Sequence, residues 1–339
     1  MSNYNYAEYV CEAVESAIEQ EQSFDEIFVV DDGSKDDSVD RLKRRFSSND
    51  NVIIIEKENG GQLSAFHRGV QESSGELCFF LDADDRYDSR LNRIANEFFA
   101  QFPTVDFLSV GFREFGETLS KPSRPKPTRD YGLTALSTIF DGRWIGNPTS
   151  CLSMRSGLVR CLLPYQDEEA WRIRADDVLV FGSSVLGAQK VHLNQPLVEY
   201  RLHHDNQFAN RKQDSLAKMR HAIEVNRLIR YYVEKSGYEI ELLGDLLPKE
   251  FRTHDRPTFN EFVRYARMCS RARLPWLLQA GFVTIMLNHY LSERRKKNES
   301  SDLQIFEKSM TETSTQDISQ SEWNRANSRQ ARSKIRRAA

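Results

Sequence analysis

Three stretches of this chain share one grammar, a short uninterrupted apolar run that stops abruptly in polar residues. They are "EIFVVDDGS" at 26–34, "NVIIIEKENGG" at 51–61 and "GELCFFLDADD" at 75–85. Each is followed by apolar residues at helical spacing: Val39, Leu42 and Phe46; Leu63, Phe66 and Val70; Leu91, Ile94, Ala95, Phe98 and Phe99. A strand that is apolar without alternation must bury both faces, and strands alternating with helices bury them in a parallel sheet. The spacing therefore predicts an α/β fold with a doubly wound, mainly parallel, Rossmann-like sheet. Such sheets bind ligands beyond the carboxyl ends of their strands. Asp31, Asp32, Asn59, Asp82, Asp84 and Asp85 all fall on that rim.

Three carboxylates at the end of an apolar strand repel one another, which raises their pKa values. Water or a cation must relieve them. Strand-end carboxylates hold Mn2+ or Mg2+ through one or two oxygens, with phosphate oxygens and water completing the shell. A metal held this way neutralises a diphosphate leaving group. Taken alone, Asp-Ala-Asp-Asp also fits a solvated acidic turn.

The chain has 339 residues and a net charge of −3, which is no footprint for nucleic acid. Its cysteines (Cys11, Cys78, Cys151, Cys161 and Cys269) are scattered and without a CxxC pair. They read as reduced thiols of a cytoplasmic protein. No leader is evident, and no apolar run reaches the roughly 18 residues of a membrane span. Asn5 is placed to cap the first helix, with Glu8 at the capping-box position. "KPSRPKPTRD" at 121–130 is a Pro-rich loop, either a surface excursion or a flap. After Asn206 the pattern is helical. From Asn298 the chain turns polar, as a disordered tail does. Three regions are expected: an α/β domain at 1–206 (nucleotide half 1–115, acceptor half 131–206), a helical region at 207–297 and a tail at 298–339. "LPWLLQAGFVTIMLNHYL" at 274–291 lies between Arg271 and Arg273 on one side and "ERRKK" on the other. It reads as a buried helix in preference to an interfacial one. The latter would give peripheral contact at the cytoplasmic membrane face through 271–297.

The ordered set "SNYNYAEYVCEAVESAIEQ", "DEIFVVDDGSKDDS", "ENGGQLSAFHRGV", "GELCFFLDADD" and "VEYRLHHDNQ" resembles the family 2 glycosyltransferases, which have the GT-A fold. The resemblance implies a nucleotide-diphospho-sugar donor, a glycan, lipid-linked or protein acceptor, inversion at the transferred carbon, and work in polysaccharide or glycoconjugate synthesis. It implies that Tyr4 and Asp32 flank the nucleobase and that Asn59, Gly60 and Gly61 form a turn facing the nucleotide. Asp82 and Asp84 match the DxD motif, and Asp84 and Asp85 are the metal candidates. "ADDVLVFGSSVLG" matches the segment of the catalytic base, with Asp176 first choice and Asp177 second. "YRLHHDN" matches a segment near the diphosphate, bringing His203 with Arg201 in support. "GNPTSCLSMRS" corresponds to the acceptor side.

Ordinary structural roles stand beside each assignment. Asp32 can cap a helix, the Asn-Gly-Gly can be only a turn, and Asp176 and Asp177 suit any helix start. Tyr4 and His203 can be packing residues. The chain departs from the pattern twice. The family's first apolar strand is missing ahead of Asn3, and His67 stands where the family has Asn. Those departures keep a non-catalytic sugar-nucleotide binder open as an alternative. A phosphotransfer domain of receiver or haloacid-dehalogenase type is disfavoured, because no strand-ending Lys follows at a fitting place.

Overall fold

The computed structural model describes residues 1–116, 125–203, 214–239, 243–272, 275–296 and 301–310. Residues 1–298 form one unit and 299–339 a second; within the latter, 302–310 are helical. The rest of the expected tail, and the first part of the Pro-rich loop, lie outside the described residues.

Nine strands are present among the described residues: β1 (Ser2–Asn3), β2 (Ile27–Asp31), β3 (Val52–Glu56), β4 (Leu77–Phe79), β5 (Arg86–Tyr87), β6 (Phe107–Gly116), β7 (Arg129–Gly132), β8 (Leu152–Arg155) and β9 (Lys190–Leu202). The first three make a parallel sheet, as the apolar runs require. The others form a second sheet in the order β4-β8-β6-β9-β5, with β7 on β9. This one is mixed: only β6 and β9 run parallel, and β8 enters antiparallel between β4 and β6. The periodicity of single segments carries no information on which neighbour a later strand chooses. The two sheets meet at one bridge, Ser2 to Asp82.

Residues 1–3 take the central position expected of the first strand. Ser2 pairs with Val30 and Asn3 with Asp31. The Met1 ammonium donates to the Phe28 carbonyl at 2.9 Å, and the Val30 amide donates to the Met1 carbonyl at 3.0 Å. The central position is thus occupied at its carboxyl end by residues 1–3.

Helices α1 (Val10–Ile18), α2 (Ser38–Phe46), α3 (Gln62–Glu72) and α4 (Leu91–Gln101) follow the apolar spacing. The expected cap does not form. α1 starts after Tyr9, and Asn5 instead takes φ 59° and accepts from the Lys35 amide at 2.7 Å. Asparagine tolerates left-handed backbone and bonds nearby amides, so a turn competes with the cap. In the second half come α5 (Ala135–Asp141), α6 (Ser156–Leu162), α7 (Ala175–Val185), α8 (Ser215–Lys235), α9 (Leu247–Phe251), α10 (Phe259–Arg271) and α11 (Trp276–Arg295). Tyr232 and Leu228 of α8 join the main core beside Leu179 of α7. Phe251, Tyr265, Met268 and Met286 build a second core against Leu136 of α5. α11 is not the buried helix its composition suggests. Met286 faces that core, but Trp276 is 75% and Leu277 65% exposed. No described helix is long and apolar enough to cross a membrane.

Candidate active site

The carboxyl ends of β1, β2 and β4 open on a cleft of about 1370 Å³, shared with the start of α7 and the end of β9. Its first wall is the turn before α3. Asp32 is only 3% exposed, and its carboxylate accepts from the Gly60 and Gly61 amides at 2.8 and 2.7 Å and from Lys57 Nζ at 2.7 Å. Asn59 Nδ2 donates to the Asp32 carbonyl at 2.8 Å. Gly61 has φ +91°, and a Cβ there would sit 2.3 Å from Arg172 Cα, so only glycine fits. Asp32 thus organises the turn that lines the cleft, while Tyr4 stands at its edge, 42% exposed.

The second wall is the acidic cluster. Asp82, Asp84 and Asp85 each offer an oxygen within 4.8 Å of the others. Gln62 Nε2 donates to Asp82 at 2.7 Å, and its own oxygen accepts from the Ala175 amide at 3.1 Å. Asp84 pairs with His203 Nε2 at 2.9 Å. Asp85 is 1% exposed and accepts from Ser150 Oγ at 2.6 Å and from the Arg201 amide at 2.9 Å. Burial, then repulsion from Asp84 and Asp176, pushes the Asp82 carboxyl up to about 8. Burial, then repulsion from Asp84 and Asp82, holds Asp85 well above its ordinary range. The Arg201 guanidinium turns elsewhere: it donates to the Asp84 carbonyl at 2.7 Å, pairs with Glu12 and lies over Phe115. Burial thus leaves the cluster strongly disposed to accept positive charge.

The third wall is the start of α7, where two adjacent carboxylates part company. Asp176 lines the cleft, and burial raises its pKa. Asp177 is fully buried on the other side, paired with Arg174 at 2.8 Å and 3.4 Å from His221 Nε2. Burial, then Asp176, pushes its carboxyl to about 7. Arg174 takes a left-handed φ of 69° at the helix start.

The structure brings Tyr4, Asp32, Asn59, Gly61, Asp82, Asp84, Asp176 and His203 to one cleft. Asp85 and Arg201 stand behind it, and Asp177 points away. Gln62, Ser150 and Arg174 were missed from the sequence. Only the position of Gln62, directly after the Gly-Gly turn, hinted at its role. His67 is drawn off by Glu168, 2.8 Å away.

The model of the family "Glycosyl transferase family 2" matches residues 1–160. An uncharacterized glycosyltransferase of Nostoc sp. is 30% identical over 294 residues, covering 83% of this chain and 89% of the relative. The chain belongs to glycosyltransferase family 2. This glycosyltransferase is also 23% identical over 208 residues to the putative glycosyltransferase EpsH of Bacillus subtilis, covering 59% of each. Among solved structures it is similar to Staphylococcus aureus TarS in complex with UDP-GlcNAc. There the TM-score is 0.53 at 16% identity, over 88% of this chain and 90% of that one. At that identity the likeness shows the GT-A fold.

Proposed function

We propose that the protein is an inverting, metal-dependent glycosyltransferase, moving a sugar from a nucleotide-diphospho-sugar to an acceptor hydroxyl in polysaccharide or glycoconjugate synthesis. One geometric fact carries this reading: Asp176 and the strand-end cluster open on the same cleft, with Asp176 adding to the field at Asp82. A base and a diphosphate site must share one cavity for displacement from opposite faces of the transferred carbon.

Tyr4 covers the nucleobase, and the turn built on Asp32, Asn59 and Gly61 forms its floor. Asp82, Asp84 and Asp85 would hold Mn2+ or Mg2+, since three carboxylates whose oxygens converge within 4.8 Å suit a hard divalent cation. When bound, the ion supplies neutralising charge at the diphosphate. His203 is held by Asp84 beside the same position and donates toward the leaving phosphate. Asp176 removes the acceptor proton, because burial lifts its pKa toward the working range of a base. Trp144, Pro148 and Thr149 line the acceptor side, where a glycan, lipid-linked or protein hydroxyl enters.

A melting screen of nucleoside diphosphates and their sugars with Mn2+ tests the donor, because a ligand of the native state raises its melting point. A nucleoside diphosphate that stabilises only with Mn2+ supports the reading; none stabilising would sink it. Product anomer analysis by NMR then checks inversion. Peripheral membrane contact through 271–297 belongs to the same proposal. Its support is the exposed Trp276, Leu277 and Leu278 of α11, with Arg294 and Arg295 at its far end. Flotation with anionic liposomes at low salt is the check, and protein left at the bottom of the gradient argues against it.

A further inference from the structure

Helix α5 ends at Asp141, and residues 142–147 then carry the chain to the rim of the cleft. This short loop is tied down along its whole length. Asp141 receives Arg264 and Arg271 of α10, each at 2.8 Å. The Gly142 and Arg143 amides donate back to the Thr138 and Ser137 carbonyls at 2.9 and 3.2 Å, and the Arg143 guanidinium lies 3.5 Å from Glu261. Lys190 Nζ donates to the Ile145 carbonyl at 3.2 Å and to the Val180 carbonyl of α7 at 2.7 Å. Lys126 Nζ donates to the Gly146 carbonyl at 2.7 Å and to Asn147 Oδ1 at 2.6 Å, while Asn147 Nδ2 donates to the Val110 carbonyl at 2.6 Å. A Cβ on Gly146 would come within 2.5 Å of Val180, so the loop lies directly on α7.

One residue of the loop is used differently. Among residues 141–147 it is Trp144 that lines the cleft. Its indole N–H is buried and makes no full hydrogen bond, yet it lies near Asp177 and favours that carboxylate against the burial that raises its pKa. Lys126 Nζ stands over the ring, 5.8 Å from its centroid, and Lys126 is not a cleft residue. With the N–H edge buried and one face under Lys126, the opposite face is the side that the cleft meets. Asp177 follows Asp176 at the start of α7, so the ring flanks the helix start that carries the proposed base.

We propose that Trp144 is the platform of the acceptor subsite and that the acceptor it takes is a pyranose ring, stacked on the indole with one hydroxyl turned toward Asp176. The inference rests on the transferase reading and narrows its acceptor to a saccharide. A pyranose carries weakly positive C–H groups on its faces and hydroxyls around its rim. The indole face is apolar and electron-rich, so stacking buries the C–H face and leaves the hydroxyls free for polar groups. Thr149, Arg174 and Asp176 line the same cleft. An acyl chain needs a continuous apolar track, and this lining is mostly polar. An extended peptide needs free backbone groups, and the carbonyls of Ile145 and Gly146 are already taken by lysines. The dense mounting of the loop suits the same role. A reacting hydroxyl must stay within reach of its base, and a misplacement of about 1 Å costs about 10²-fold in rate.

Saturation-transfer NMR on the full chain, with and without a nucleoside diphosphate and Mn2+, tests this. The probes are the methyl pyranosides of glucose, galactose, mannose and N-acetylglucosamine, a Ser/Thr peptide and a short fatty acid, each at millimolar concentration. At least one pyranoside is expected to bind, with saturation strongest on the C–H protons of one ring face. Trp144→Leu, apolar but without the flat ring, is expected to weaken that binding about tenfold, and Trp144→Phe about threefold, with nucleoside diphosphate affinity unchanged in both. Equal pyranoside affinity in the wild type and Trp144→Leu overturns the assignment, and so does the absence of pyranoside binding, whether or not the peptide or the fatty acid binds. Should Trp144→Leu fail to fold, the chain labelled with 5-fluorotryptophan gives the answer. Its Trp144 19F resonance, assigned with Trp144→Phe, must shift on adding the pyranoside, and an unmoved resonance overturns the platform. Nucleotide binding without pyranoside binding sinks the platform and spares the transferase reading. A pyranoside held on Trp144 by a chain that binds no nucleotide does the reverse.

Discussion

Two regions of this glycosyltransferase bury carboxylates, and they treat them in opposite ways. In the helical region Glu261 is 5% exposed and bonded to Arg129 and to the Thr258 amide and hydroxyl, while Arg143 lies 3.5 Å away. Burial alone would raise its pKa, but Arg129 and the Thr258 donors outweigh it and hold it at about 2. Glu250 accepts from the Leu136 and Ser137 amides at 2.8 and 3.0 Å and from Tyr265, closing the start of α5. In the cleft, Asp82, Asp84 and Asp85 rest on a glutamine, a serine, a histidine and a backbone amide, and repel one another. A lone carboxylate answered by the chain's own cations, as Glu261 is, or by the amides of a helix start, as Glu250 is, glues elements together. A cluster answered mostly by neutral donors is poised for charge from outside.

That contrast can be broken by three substitutions, in order of expected effect, and then by pH. Glu261→Ala strips a buried pair of its anion and leaves Arg129 uncompensated, so it is expected to cost about 3 kcal/mol in denaturant unfolding. A loss no larger than an exposed pair gives, under about 1 kcal/mol, would remove Glu261 from the structural side. Asp176→Asn keeps shape and donor affinity but is expected to lower transfer about 10²-fold, or roughly 2.7 kcal/mol. If Asp177→Asn alone abolishes transfer while donor binding survives, the base has been assigned one residue too early.

Asp84→Asn is expected to weaken Mn2+-dependent binding of the nucleoside diphosphate about tenfold, some 1.4 kcal/mol, without lowering the melting point. Calorimetry showing unchanged metal-dependent affinity would return the cluster to the status of a solvated turn. A second kind of test concerns pH. Burial raises Glu250 to about 7 against an ordinary 4.5, so the folded state binds the extra proton between those values. Its contribution is fully present below pH 4.5 and lost as pH rises through 7, about 3 kcal/mol across the window. Glu250→Gln should flatten the stability profile between pH 5 and 8. A profile unchanged by the substitution would mean that the amides of α5 hold the anion without cost.

How much of this was legible beforehand varies by element. The apolar runs 27–30 and 52–55 became β2 and β3, because burial of both faces leaves few alternatives to a parallel sheet. The acidic rim was equally legible, since position at a strand end follows from where the apolar run stops. The role of Asn5 was not, because a capping side chain and a left-handed turn use the same residue. The opposed directions of Asp176 and Asp177 were also hidden. Neighbours on a helix point about 100° apart, and which one meets the cleft depends on how α7 is rolled against β9 and α8.

The sequence by itself determined the family, the alternating strand–helix order of the first half and the carboxylates at its rim. These follow from local patterns and from motifs contiguous in the chain. Tertiary structure alone decided that β8 enters antiparallel between β4 and β6, that Gln62 ties Asp82 to α7, and that Ser2 pairs with Val30 on one side and Asp82 on the other. Each of these joins residues far apart in the chain. Their pairing is selected by shape, register and leftover hydrogen-bonding groups once the helices have packed, and no local pattern encodes it.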